Sequence, residues 1–134
     1  MVMSKLKKEL SYLLAIFKKE GFSTNRTNWE HVLVAIQHQL AMVVAFGYWW
    51  WTPAWWIGAA LGSGIFIGRE YAQVERKILT KLGYKTYIEA EENGVDVCDK
   101  AKSFEYWNKD SLLDQWLPKT FVIIIASIIT IVSM

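Results

Sequence analysis

Apolar side chains recur at three- and four-residue spacing in the first twenty residues: Met3, Leu6, Leu10, Leu13, Leu14 and Phe17. Lys5, Lys7, Lys8, Lys18 and Lys19 occupy other faces. This period predicts an amphipathic helix over 3–19. Its lysines suit an anionic lipid surface; the alternative is a helix that packs its stripe on the chain's own polar segments. Gly21 ends it, and a polar linker from Ser23 to Asn28 follows. From there the pattern changes from amphipathic to almost unbroken apolar. Between Glu30 and Arg69 there is no Lys, Arg, Asp or Glu, and a second uncharged stretch runs from Thr120 to Met134.

These stretches predict an all-α integral membrane protein with three transmembrane helices. The first covers 28–51, and its twenty residues from Val32 to Trp51 are enough to cross roughly 30 Å of hydrocarbon. Tyr48, Trp49, Trp50 and Trp51 close it, where amphipathic rings favour the headgroup boundary. Thr52-Pro53 is the turn, since proline is tolerated in a first helical turn. The second span covers 54–72 and extends to 82 if nothing breaks it after Arg69. The third covers 111–134. Residues 83–109 form a polar segment with turn signals at Gly83 and Asn93-Gly94, expected to hold short helices. The whole chain of 134 residues is one membrane domain.

Charge turns this into an orientation. All fifteen Lys and Arg residues fall either up to Arg26 or from Arg69 to Lys119, on one side of a three-span topology. Positive charge in short flanking segments marks the cytoplasmic face. The expectation is a multi-pass protein of the inner, cytoplasmic membrane, N-terminus cytoplasmic and C-terminus outside. Two spans with an interfacial C-terminal helix are the alternative. The charges are mixed, with a net +2, and no basic-aromatic stripe points to nucleic acid. The single cysteine, Cys98, excludes an intrachain disulfide and a thiolate metal cluster. No signal peptide is read at the N-terminus, because its apolar stretch is short and no small-residue cleavage pattern follows.

Polar residues at membrane depth are the functional candidates. His31 and His38 lie seven residues apart on the first span, beside Gln37 and Gln39; Arg69, Glu70, Gln73 and Glu75 sit near the cytoplasmic end of the second. If the hairpin turns at Thr52, Glu70 comes level with Val34. His31, His38 and Glu70 then form a candidate set for Zn²⁺ or another divalent ion, with Glu75 as base for a metal-bound water. No HExxH, paired CxxC or Gly-x-Ser-x-Gly pattern supports it. The structural alternative puts His31 at the interface, bonds Gln37 and His38 to the neighbouring helix and pairs Arg69 with Glu70. Asp110 is a candidate helix cap, and Asp114 a candidate partner for Arg69 or Arg76. Gly58 with Gly62, and Gly64 with Gly68, are small-residue pairs of the GxxxG kind, which let a neighbouring helix or a second copy approach closely.

Two segments carry a resemblance: Gly68-Arg69-Glu70-Tyr71-Ala72-Gln73-Val74-Glu75, and Asp110-Ser111-Leu112-Leu113-Asp114-Gln115-Trp116-Leu117-Pro118. The chain resembles small integral membrane proteins encoded in phage and prophage genomes, which carry a GRExxQxE segment after a Gly-rich span and a DxxxDxxxP segment leading into the last one. The resemblance implies a viral setting rather than a chemistry. Size and topology also resemble one class of holins. Three function classes follow: a non-enzymatic phage-type membrane protein, permeabilising like a holin or modulating a host or phage membrane partner; a metal-dependent membrane hydrolase using His31, His38 and Glu70; and a structural component whose Gly58-Gly62 face makes a homo-oligomer. The first requires no cofactor.

Overall fold

The computed structural model describes all 134 residues, Met1–Met134. It is all-α: α1 (Val2–Glu20), α2 (Arg26–Phe46), α3 (Trp51–Leu82), α4 (Tyr87–Glu92), α5 (Val97–Ala101) and α6 (Lys109–Val132), with a 3₁₀ turn at Phe104–Tyr106. By length and composition, α6 is the one helix apolar enough to cross a membrane. The chain forms two compact units. One comprises Met1–Ser23 and Arg69–Ser111, the other Thr24–Gly68 and Leu112–Met134.

Local chemistry sets the helix starts. Asn25 caps α2, accepting from the Asn28 amide through its side chain, while Asn28 Oδ1 accepts from the Asn25 amide, each at 2.9 Å. This reciprocal box satisfies two of the donors a helix start leaves open. α2 ends at Phe46, short of the expected Trp51. Tyr48, Trp49 and Trp50 lie in the turn, and Trp51 opens α3 with Pro53 in its first turn. α3 runs unbroken past Arg69 for 32 residues. The cap of α6 is Asn108, whose Oδ1 accepts from Ser111 N at 2.8 Å, rather than Asp110. Inside α6, Pro118 is fully buried. It has no amide proton, so the Asp114 carbonyl one turn earlier loses its helical donor.

The unit of Thr24–Gly68 and Leu112–Met134 packs α2, the first half of α3 and most of α6 around a core of Ala35, Trp55, Ala59, Phe66, Val122 and Ala126. Half of these are alanines, and the helices come close at the glycines. A Cβ on Gly58 would lie 2.6 Å from Gln39 Cα, and one on Gly62 would lie 2.7 Å from the Ala35 carbonyl oxygen. This glycine pair therefore packs within the hairpin of α2 and α3. Gly64 and Gly68 have nothing within 4 Å of a built Cβ. Six residues of helix turn through 240° from Gly58 to Gly64, which puts the second pair on a different face.

In the unit of Met1–Ser23 and Arg69–Ser111, the second half of α3 buries Val74, Ile78 and Leu79, and the segment after it buries Ala90, Val97, Ala101 and Trp107. Tyr71 meets Trp107 edge to face at 4.9 Å, and the Trp107 indole N–H donates to the Ala101 carbonyl at 2.8 Å. Two acids of this segment, Glu89 and Asp96, support its helix starts. Glu89 accepts from Lys85 N, Asp96 caps α5, and Thr86 caps α4. Glu9 of α1 accepts from the Ser103 hydroxyl and the Phe104 amide, which fastens α1 to the 3₁₀ turn.

Candidate functional site

The start of α2 delivers Asn28 and, one turn on, His31 to a buried position, where α6 supplies Asp114. Asn28 Oδ1 is committed to the helix cap, so its Nδ2 points the other way and donates to Asp114 Oδ1 at 2.6 Å. His31 Nδ1 lies 3.1 Å from the same oxygen. Asn28, His31 and Asp114 are all buried, and the His31 ring lies against Phe66 with centroids 4.7 Å apart. One carboxylate oxygen thus gathers two groups from α2. The acid read from the sequence as a partner for Arg69 or Arg76 is held by Asn28 and His31.

Two turns further along α2, Gln39 is fully buried. Its Nε2 donates to the Trp55 carbonyl of α3 at 3.1 Å and to the Val122 carbonyl of α6 at 2.9 Å. One side chain therefore joins three helices through backbone acceptors, which are present whatever the residues there. The buried Gln39 Oε1 and Trp55 Nε1 have no hydrogen-bond partner in the chain. Ser63 donates to the Ala59 carbonyl within α3. Nearer the C-terminal end of α6, Trp56 Nε1 donates to Thr130 Oγ1.

The two histidines have different fates. His31 is inside, whereas His38 is exposed, its Nδ1 2.8 Å from the Val34 carbonyl of its own helix. A carbonyl only accepts, so that contact puts the proton on Nδ1. Gln37 is exposed too. Seven residues return a helix to within about 20° of the same face, but the buried sector of α2 ends between the two rings. Glu70 is almost wholly buried at 1% exposure on α3, with Arg69 Nε 3.8 Å from its carboxylate. Gln73 is half-buried. Glu75 accepts from the Tyr87 hydroxyl at 3.1 Å. No three His, Cys, Asp or Glu side chains are gathered closely enough to hold a metal ion.

Glu75 also governs the one thiol. A hydrogen bond to Glu75, then its negative charge, pushes the Cys98 thiol above its usual range. Tyr87 is raised as well, by burial first and by Glu75 second. Cys98 lies with Tyr87, Glu91 and Asp96 around an open pocket of about 390 Å³.

Sequence reasoning missed Asn28 as the partner of Asp114 and underrated Gln39. The available signal was the recurrence of polar residues at Asn28, His31 and Gln39, all within one helical sector. Neither family models, nor curated proteins, nor solved structures match this chain.

Proposed function

We propose that the chain is a small phage-type protein of the bacterial inner membrane, with three spans formed by α2, the first half of α3, and α6. It is non-enzymatic and permeabilises the bilayer as holins do. One observation carries the membrane part of this reading: the unit built from Thr24–Gly68 and Leu112–Met134 buries several polar side chains beside its apolar core while many large apolar side chains face outward. Its buried set includes Asn28, His31, Gln39, Ser63, Asp114 and Gln115, while Leu33, Val44, Leu61, Ile65, Ile124 and Ile128 are exposed. Water favours the reverse arrangement, whereas hydrocarbon tolerates it because lipid tails are as apolar as leucine. Only 22% of the apolar window of α6 is buried, unlike the core helix of a soluble domain. The mean hydropathy of α2 is lowered by the inward His31 and Gln39 and by the exposed Gln37 and His38 alike.

The phage resemblance and the Lys- and Arg-rich segments flanking the spans add the inner-membrane setting, with those segments on the cytoplasmic side. Two experiments test the reading. After alkaline carbonate extraction the chain stays with the membrane pellet, and recovery in the supernatant refutes the spans. Induced expression depolarises cells; a preserved membrane potential refutes permeabilisation and leaves modulation of a membrane partner. For orientation, Cys98 resists an impermeant maleimide in intact cells and reacts after lysis. The lysed control is essential, because Glu75 slows this thiol in any compartment.

A further inference from the structure

α1 is fastened to its own unit by its acids. Glu9 accepts from Ser103 Oγ at 3.0 Å and from Phe104 N at 2.9 Å, and Glu20 accepts from Lys109 N at 3.2 Å, while Lys109 Nζ donates to the Glu20 carbonyl. These contacts lie on one side of the helix, where Tyr12, Leu13 and Ile16 are half-buried, while the half-buried Phe17 stacks on Phe22. They fix the roll of α1 and leave a different face outward. On that face Met3, Leu6, Leu10 and Leu14 are 70, 65, 52 and 61% exposed, and no residue of α1 is fully buried. At 100° per residue these four fall within an 80° sector, and Lys7 and Lys18 lie along its edge. The sequence left open whether this stripe meets lipid or the chain's own polar segment; in the structure the polar segment takes the neighbouring face instead.

The charge on α1 is equally one-sided. Both of its acids are turned to protein partners, whereas Lys5, Lys7, Lys8, Lys18 and Lys19 are all exposed. We infer that the Met3-Leu6-Leu10-Leu14 face docks on an anionic bilayer surface, with the apolar side chains in the acyl boundary and Lys7 and Lys18 at lipid phosphates. The stripe supplies apolar area and the lysines supply the charge complement, the two components of interfacial helix binding. This rests on the membrane reading above and names the lipid class that it meets.

The test uses the full chain as Cys98→Ser with Leu10→Cys carrying an environment-sensitive fluorophore. Position 10 is exposed, so the label disturbs no packing. The protein is reconstituted into phosphatidylcholine vesicles with and without phosphatidylglycerol. The expected result is quenching by brominated acyl chains and protection from iodide in the phosphatidylglycerol vesicles. Lys7→Gln with Lys18→Gln weakens docking by about fivefold for each lysine removed. A fluorophore that stays open to iodide in phosphatidylglycerol vesicles overturns the inference. One shielded from both quenchers overturns it too, since that marks a protein contact. Carbonate extraction of the same vesicles judges the spans separately: a chain stripped from the pellet refutes the spans, while the quenching still decides where α1 lies.

Discussion

Replacing Gly58 by alanine adds one methyl group where α3 lies against the backbone of α2. Its Cβ would stand 2.6 Å from Gln39 Cα and 2.8 Å from the Gln39 carbonyl oxygen. Neither atom is the end of a flexible side chain, so the helices must part by roughly 1 Å before the contact becomes ordinary. Gln39 moves with that backbone. Its bond to the Trp55 carbonyl, already 3.1 Å, then stretches beyond hydrogen-bonding range. Overpacking of this kind costs about 1–3 kcal/mol, and an interhelical hydrogen bond about 0.6 kcal/mol. Alanine returns about 1 kcal/mol of helix propensity. The net expectation is a loss of about 0.6–2.6 kcal/mol. Gly64→Ala is the internal control, because nothing lies within 4 Å of its Cβ and only the propensity gain applies. Reversible unfolding in mixed micelles, followed by circular dichroism, measures both. A Gly58→Ala protein as stable as Gly64→Ala would show that this close approach is not made.

Asp114→Ala removes the acceptor of Asn28 and the carboxylate that lies beside His31 and is expected to cost about 1–3 kcal/mol in the same assay. Asp114→Asn keeps an acceptor oxygen and should cost less; equal losses for the two variants count against the pairing. Cys98 alkylation should show a pH–rate curve displaced to higher pH, because only the thiolate reacts and its formation is opposed by Glu75. Glu75→Gln moves that curve back to lower pH, and an unmoved curve refutes the contact. Glu9→Gln weakens the tie between α1 and the 3₁₀ turn by about 1 kcal/mol or more. Faster amide exchange at residues 103–106 reports it, and unchanged protection would argue against the tie.

Much of the helical layout was legible because periodicity and punctuation act locally. Leu6, Leu10 and Leu13 repeat at helical spacing, Pro53 can sit in a first turn, and nothing after Arg69 stops α3. What escaped was azimuth, the direction in which each residue points around its helix relative to a partner many residues away. His31 and His38 share a nominal face, yet one is buried and the other exposed, because the packed sector ends between them. Asp114 was readable as a polar residue in need of a partner. That its partners are Asn28 and His31 depends on how α2 and α6 pack, which no local pattern carries. The glycine pairs were separable in principle, since Gly58 and Gly64 cannot face one neighbour. Only the contact with Gln39 and Ala35 tells which pair faces α2.

The bonds that Asn28 and Gln39 make to α6 also have a place in time. Asn28 precedes Asp114 by 86 residues, and Gln39 precedes Val122 by 83. At a synthesis rate of roughly 5–20 residues per second, that separation is on the order of 4–17 s. For that interval the nascent α2 carries an amide at each of two positions whose α6 partners do not yet exist. Gln39 can reach the Trp55 carbonyl early, only 16 residues later, so the hairpin forms half-satisfied and waits. A ribosome that pauses between Leu82 and Lys109 prolongs the wait, and a protease would meet the hairpin before α6 can close it.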